Sequence, residues 1–307
     1  MRFPVHLRHP VGCKIGYSMS TKGDIVGERR LGVHTSIAGG IYLSLERARE
    51  LGCSTIQIFS HNPRQWSTTD IPQDSVAKFR QFRNDYDINP VFIHSSYLIN
   101  LAALDKGLLD KSSVLLAREL DLADSLGADY VVLHTGSASQ DKEDNARKRA
   151  IQALERISKE KKWKAKLLLE NTAGEKGDIS SRIRDLAYIM DGANSGLIGG
   201  LCIDTCHAFA AGYNLSDKDG LAEFVRELET HAGIDSVKII HLNDSKKDYN
   251  SRVDRHEHIG EGRIGKTGLK MFLNHPALKS IPLILETPKK SDQDDARNLR
   301  AVRDLFL

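Results

Sequence analysis

The segment VKIIHLND at residues 237–244 is the best indication of the fold, because an almost unbroken apolar run ends abruptly in polar side chains. Continuous rather than alternating apolarity is typical of strands that are buried on both faces, as in a parallel sheet. Seven further segments have the same character: LGVHTS (31–36), TIQIFS (55–60), PVFIHS (90–95), YVVLHT (130–135), KLLLEN (166–171), GLCIDT (200–205) and IPLILET (281–287). The sequence therefore predicts eight buried strands.

Amphipathic stretches of helical character separate these strands, including residues 41–52, residues 76–85 and a long region that ends at 125–127. Eight units of strand and helix in about 280 residues indicate an α/β fold, a single (β/α)8 TIM barrel over residues 31–307. A doubly wound sheet is the alternative. Residues 1–30 are predicted to be a disordered N-terminal extension, with a translation start at Met19 as another explanation.

The composition is that of an ordinary globular protein, with 40% hydrophobic residues, 28% charged residues and a net charge of +3. No apolar run approaches the roughly 20 residues of a membrane helix, so no membrane partner is expected. Four cysteines without regular spacing favour a reducing compartment. A thiolate zinc knuckle of Cys202 and Cys206 is disfavoured, because a second cysteine pair is missing. The expected location is the cytoplasm or nucleoid, or the nucleus or mitochondrion of a eukaryote.

The ends of the predicted strands carry the chemistry. Six successive strands end in residue types that bind metals: His94, His134, Glu170, Asp204, His241 and Glu286. Three further candidates follow the sixth and seventh strands: His207, Asp254 and His256. Because the carboxyl ends of all strands lie at the same end of a TIM barrel, its mouth, we expect these side chains to converge there. Imidazoles and carboxylates are ligands of zinc and related divalent metals.

A single histidine or glutamate after an apolar strand is more often structural, but six in succession argue against coincidence. Buried charges need partners or metals, and nine candidates exceed the needs of one tetrahedral ion. Two or three metals that share a bridging carboxylate are therefore predicted. His258 is an alternative to His256, which is favoured because it forms a DxH pair with Asp254. His34 is predicted to line the mouth as a substrate contact.

The chain resembles endonuclease IV, a family of zinc-dependent apurinic/apyrimidinic endonucleases of base excision repair. The resemblance covers roughly residues 31–307. It rests on nine motifs in the family's order: GVHTSIAGG (32–40), FSHNPRQW (59–66), HSSYLINLA (94–102), HTGS (134–137), LLENTAGEKG (168–177), CIDTCHAFAAGY (202–213), HLNDSK (241–246), RVDRHEHIGEG (252–262) and LETP (285–288).

The resemblance implies three zinc ions, with manganese or iron as alternatives at some sites. It divides the nine candidates into three sets: His94, His134 and Glu170; Glu170, Asp204, His241 and Glu286; and His207, Asp254 and His256. Glu170 would bridge the first two metals, and Glu286 would also orient the nucleophile, which makes both catalytic. The metals would lower the pKa of bound water and neutralise charge on the phosphate.

The implied reaction is hydrolysis of the phosphodiester 5′ to an abasic site in duplex DNA, which leaves a 3′-hydroxyl and a 5′-deoxyribose phosphate. Trimming of blocked 3′ ends is also implied. Asn62 would contact the DNA backbone, and Arg64, Tyr97 and Leu98 would enter the base stack while the abasic sugar flips out. The expected partner is damaged double-stranded DNA, and the expected state is a monomer.

Two other functions remain open. A sugar isomerase or epimerase of related barrel fold would place two metals at the same mouth, but it has no need of the third set of ligands. A non-catalytic protein that binds DNA damage would have no use for a complete set of metal ligands.

Overall fold

Eight parallel strands close into a barrel in the computed structural model, which describes residues 29–306. The barrel strands are β1 (Leu31–His34), β2 (Thr55–Ile58), β3 (Val91–His94), β4 (Tyr130–Leu133), β5 (Lys166–Glu170), β6 (Ile198–Asp204), β7 (Val237–His241) and β10 (Leu283–Leu285). Two short strands outside the barrel, β8 (Asp244–Ser245) and β9 (His256–Glu257), pair with each other. The barrel order is β1-β10-β7-β6-β5-β4-β3-β2, and β2 pairs with β1 to close it. The predicted TIM barrel is confirmed.

Helices follow the barrel strands and surround them. They are α1 (Leu43–Glu50), α2 (Gln73–Asp85), α3 (Lys106–Leu126), α4 (Glu143–Glu160), α5 (Ile183–Ala193), α6 (Thr205–Ala210), α7 (Lys218–His231), α8 (Gly265–Leu273) and α9 (Asp294–Leu305), with a 3-10 turn at Ile234–Ser236. The longest, α3, begins where the Asp105 side chain accepts a hydrogen bond from the Leu108 amide, and it ends at Gly127 in the left-handed conformation. Among residues 29–306, no helix is long and apolar enough to cross a membrane.

The core has two parts, which explains why the strands read as continuously apolar. Side chains that point outward from the barrel pack against the helices in one large cluster. Side chains that point inward form a smaller cluster, which consists of Phe92, Val132, Leu168, Cys202, Ile239 and Ile284. The barrel is therefore filled below its mouth, and polar chemistry is confined to the carboxyl ends of the strands.

One segment differs from its prediction. The run 237–244 was expected as one strand, but β7 ends at His241, and Asp244–Ser245 pairs antiparallel with His256–Glu257 in a separate ribbon. Asp244 fixes this ribbon, because its carboxylate accepts hydrogen bonds from the amides of Gly262 and Ile264 at 2.9 and 3.0 Å. The ribbon folds the loop after β7 back over the mouth of the barrel.

The N-terminal extension lies outside the described residues except for its last two. Arg29 belongs to the folded barrel, because it is buried and its guanidinium donates hydrogen bonds to the carbonyls of Ile281 and Leu273. The folded domain therefore includes at least two residues more than the predicted boundary at residue 31.

Candidate metal centre

The nine predicted ligands converge at the mouth of the barrel. His94, Glu170, Asp204 and His241 are the last residues of their strands, and His134 and Glu286 come directly after theirs. His207 lies in the short helix α6, while Asp254 and His256 are carried by the ribbon loop. Their donor atoms form three groups in which all the atoms of a group lie within 4.8 Å of one another.

The first ligand group consists of His94, His134 and Glu170. Both histidines approach the same carboxylate oxygen of Glu170, at 3.3 Å from His94 Nε2 and 3.0 Å from His134 Nε2. Glu170 is completely buried. The other carboxylate oxygen of Glu170, Oε1, faces a different ligand group.

The second ligand group consists of Glu170, Asp204, His241 and Glu286. His241 Nδ1 lies 2.9 Å from Oε1 of Glu170 and 3.2 Å from Oε2 of Glu286. Since Oε2 of Glu170 faces the first group and Oε1 faces the second, one carboxylate spans both. This is the geometry of a bridging ligand.

The third ligand group consists of His207, Asp254 and His256. The two oxygens of Asp254 lie 3.2 Å from His207 Nε2 and 3.3 Å from His256 Nε2. Asp204 Oδ2 is 3.6 Å from His256 Nε2, so the third group adjoins the second.

Three of the imidazoles have a fixed tautomer when neutral, because their Nδ1 atoms face backbone carbonyl oxygens. These bonds run from His94 to Ser95, from His207 to Asn171 and from His256 to Glu286, over 2.8, 2.9 and 3.0 Å. A carbonyl oxygen can only accept, so Nδ1 carries the hydrogen and Nε2 presents a lone pair to the ligand group. Histidines that bind metals are oriented in this way.

Four polar atoms inside the groups are left without hydrogen-bond partners. Among the described residues, Nε2 of His134, His207 and His256 and Oε2 of Glu170 are buried and have no hydrogen-bond partner. Buried polar atoms are rarely left unpaired, and lone pairs that face one another require a cation between them. The donor set of imidazole nitrogens and carboxylate oxygens therefore fits divalent metal ions.

The electrostatics of the metal-free site lead to the same conclusion. Burial opposes the charging of His207 and of His241, yet the neighbouring acidic groups hold the pKa of both imidazoles well above its usual value. Burial would likewise raise the pKa of Glu170 and of Glu286, but the imidazole of His241 holds the pKa of both carboxyl groups well below its usual value. The carboxylates are thus ionised and stabilise cations.

Three residues that were not predicted from the sequence hold the candidate ligands in place. Asn243 Nδ2 donates to Asp204 Oδ2 at 2.6 Å, and Asn171 Oδ1 accepts from the Asp204 amide at 2.7 Å. Gln57 on β2 contacts His241 and Glu286. Asn171 and Asn243 follow candidate ligands by one and two residues, and Gln57 stands between two isoleucines. These positions are the features of the sequence that could have indicated the three residues.

The other candidates named from the sequence do not belong to the three ligand groups. His258 turns away, because its Nδ1 lies 3.0 Å from the side-chain nitrogen of Asn298 in α9. Cys202 and Cys206 lie near the ligands, but burial raises the pKa of both thiols, which keeps them neutral. His34 lines the mouth, with Nδ1 at 3.5 Å from Glu286 Oε1.

A cavity of about 910 Å³ opens above the ligand groups. Its lining includes ligands from all three groups, as well as Asn62 and Tyr97 of the predicted DNA contacts. The Tyr97 side chain is 63% exposed, and its ring packs against Phe59 with centroids 5.3 Å apart. Arg64 is exposed and Leu98 half-buried in the same two loops. All four predicted contacts therefore lie in loops at the mouth.

The two loops are joined through a buried glutamate of α3. Glu119 Oε1 lies 2.8 Å from His61 Nε2 and accepts a hydrogen bond from the Ser96 amide at 2.9 Å. The Ser96 hydroxyl donates to the Pro63 carbonyl at 2.7 Å. These contacts hold the loop after β2 against the loop after β3.

Comparisons with known proteins agree with the fold. A family model described as a xylose isomerase-like TIM barrel matches residues 45–305. A probable endonuclease 4 from Halothermothrix orenii is 42% identical over 265 residues, which are 86% of this chain and 95% of the relative. Another, from Persephonella marina, is 40% identical over 278 residues, with coverage of 90% and 97%.

Two solved structures are also similar to this chain. Endonuclease IV from Thermus thermophilus superposes with a TM-score of 0.80 at 38% identity, over 90% of this chain and 98% of that one. A D-tagatose 3-epimerase-like protein superposes with a TM-score of 0.67 at 19% identity, over 90% and 97% of the two chains. At that level of identity, the second likeness concerns the fold alone.

Proposed function

This chain belongs to the endonuclease IV family, and from that premise we propose that it is a DNA repair hydrolase acting at abasic sites. It hydrolyses the phosphodiester 5′ to the lesion in duplex DNA and leaves a 3′-hydroxyl and a 5′-deoxyribose phosphate. Removal of blocked 3′ ends is part of the same proposal. The observation that carries it is the third ligand group beside the first two in one mouth.

We propose that the three ligand groups hold three zinc ions, with manganese or iron as alternatives at some positions. The sets are His94, His134 and Glu170; Glu170, Asp204, His241 and Glu286; and His207, Asp254 and His256. Bound metals lower the pKa of water and neutralise charge that builds on the phosphoryl oxygens. The protein's part is to fix the ligands, and the carbonyl bonds to three Nδ1 atoms do this.

The two proposed catalytic carboxylates differ in their surroundings. Glu170 is fully buried and faces four imidazoles, so it acts as a fixed bridge. Glu286 lines the open cavity, and its pKa is held low, so it is an ionised acceptor at neutral pH. An ionised carboxylate at the mouth can orient an attacking water by accepting its proton in a hydrogen bond.

Lesion recognition is assigned to the two loops joined by Glu119. Tyr97 has the exposure that a side chain entering the base stack requires, Leu98 follows it in the chain, and Arg64 is exposed in the neighbouring loop. Insertion of planar or apolar groups unstacks DNA, and an abasic nucleotide is cheap to extrude because it pairs with nothing. Asn62 would contact the DNA backbone. A monomeric state and a location in the cytoplasm are also part of the proposal.

The experiment uses the purified full-length protein and a labelled duplex with one central abasic site, with and without a strong chelator. Metal-dependent nicking 5′ to the lesion is expected, with a product whose 3′ end a polymerase can extend. An undamaged duplex serves as the substrate control. Absence of nicking by protein that carries its full metal content would refute the proposal.

A pair of variants separates this function from that of an epimerase. Asp254→Asn disrupts the third ligand group, whereas Asp248→Asn changes an exposed aspartate of the same loop that pairs with Arg263 at 3.0 Å. We expect Asp254→Asn to lose at least a hundredfold in nicking rate, by analogy with the loss of one charge-stabilising group. Asp248→Asn should keep the rate. Equal rates in both variants would contradict a role for the third group.

A further inference from the structure

Gln57 is a polar residue that stands between two isoleucines of β2. It lies on β2, is completely buried, and points to the second ligand group of the metal centre. A buried primary amide is costly unless its donors and its acceptor are satisfied. The Gln57 amide satisfies all of them with three residues of the mouth: His34, His241 and Glu286.

The orientation of this amide follows from Glu286. The Gln57 nitrogen lies 2.6 Å from Oε1 of Glu286, and an ionised carboxylate can only accept. The atom at that position must therefore be the NH2 group. The carbonyl oxygen of the same amide then faces His241.

This orientation selects the nitrogen with which His241 can bind a metal. His241 Nε2 lies 2.8 Å from the Gln57 oxygen, which only accepts, so Nε2 carries the hydrogen. The lone pair of the neutral ring is then on Nδ1, which faces Glu170 and Glu286 at 2.9 and 3.2 Å. His241 would therefore hold a metal through the opposite nitrogen from the three histidines that bond to carbonyls, with Gln57 in the place of the carbonyl.

The second hydrogen of the same NH2 group determines the state of His34. His34 Nδ1 lies 3.0 Å from the Gln57 nitrogen and must accept, so the neutral ring carries its hydrogen on Nε2. That ring lines the cavity, and among residues 29–306 its Nε2 has no hydrogen-bond partner. The atom is thus a donor that is left for a bound ligand.

We propose that Gln57 is a positioning residue: a single amide fixes the coordinating nitrogen of His241, the rotamer of Glu286 and a hydrogen-bond donor on His34. The identity of the group that accepts a hydrogen bond from His34 rests on the proposed function, which implies a phosphate or sugar oxygen of the substrate. The effect on the metal ligands does not depend on which reaction the site performs.

The test compares Gln57→Met with the wild type. Methionine keeps the volume and removes both ends of the amide, so His241 and Glu286 lose their support. We expect the affinity of metal-stripped protein for Zn²⁺, measured by competition with a coloured chelator, to fall about 10- to 100-fold. The visible spectrum of the Co²⁺-loaded protein should change as well. With an abasic duplex, kcat should fall while KM changes little.

Thr55→Val is the matched control, because Thr55 lies two residues earlier on β2 and its buried hydroxyl bonds to the Pro90 carbonyl, away from the mouth. It should keep the wild-type metal affinity and Co²⁺ spectrum. Wild-type affinity and spectrum in a folded Gln57→Met protein would overturn the proposal.

Gln57→Glu provides a second test if the methionine variant does not fold. Glutamate still accepts from His241, but its carboxyl group has at most one hydrogen, which it would share with the nearby Glu286. It therefore cannot donate to Glu286 and His34 together, so kcat should fall at least tenfold while metal content stays at the wild-type level. A wild-type kcat would overturn the role at Glu286 and His34. Failure of the wild type to cleave DNA would count against the proposed function, and the metal titration and spectra would still decide the role of Gln57.

Discussion

Replacement of Glu170 by glutamine should abolish metal binding by two ligand groups at once. One oxygen of Glu170 lies 3.0 Å from His134 Nε2, and the other lies 2.9 Å from His241 Nδ1. Whichever way a glutamine amide is turned, its NH2 group would replace a ligand of one group and would point hydrogens at a ring nitrogen. The neutral amide also removes the negative charge that both groups share.

The expected magnitude follows from the linkage between binding and folding. A ligand that binds only the native state stabilises it by about 4.1 kcal/mol when its free concentration is about 1,000 times Kd. A chain of this size has an unfolding entropy of about 0.6 kcal/mol per kelvin, from the average value per residue. Loss of one metal should therefore remove a metal-induced rise in Tm of about 7 °C, and loss of metal from both groups should remove about 14 °C.

The assay is calorimetry of metal-stripped protein before and after addition of zinc, together with metal content by mass spectrometry. Glu119→Gln is the matched control, since Glu119 is also buried and paired with a histidine but belongs to none of the ligand groups. Both variants lose a buried charge and should start from a lower Tm. Zinc should raise the Tm of Glu119→Gln as it does in the wild type, and a full rise in Glu170→Gln would refute the bridging role.

Three further outcomes are expected. Glu286→Gln should keep the fold and the affinity for abasic duplex while most turnover is lost, and near-normal turnover in single-turnover kinetics would contradict its catalytic role. Tyr97→Ala should weaken binding of abasic duplex more than binding of intact duplex, and an equal loss in a fluorescence titration would argue against insertion into the stack. In metal-free protein, the raised pKa values of His207 and His241 stabilise the fold below the unfolded histidine pKa of about 6.5, and this stability is lost as pH rises through the folded values. The lowered pKa of Asp254 acts in the opposite sense, with stability present above about pH 4 and lost below it, so Tm should peak between these limits and not above pH 7.

The outline of this fold is readable from the chain because it depends on local patterns. Each barrel strand is a short apolar run, and the parallel topology brings every carboxyl end to one mouth. A residue such as His134 or Glu170 could therefore be placed near the others without any knowledge of distances. The end of β7 at His241 could not be predicted, because VKIIHLND stays apolar for one residue beyond the strand. The chain turns there because the Asp244 carboxylate bonds to the amides of Gly262 and Ile264.

The proposed ligands of the site could thus be named from the sequence, and the groups that orient them could not. His258 and His256 are two positions apart with similar surroundings in the sequence, and only packing against Asn298 turns one of them away. Gln57 reaches His241 across 184 positions of chain, and no local pattern records that bond. Ligand types follow from the chemistry of side chains and strand order. The choice of coordinating nitrogen follows from hydrogen bonds that exist only after the barrel has closed.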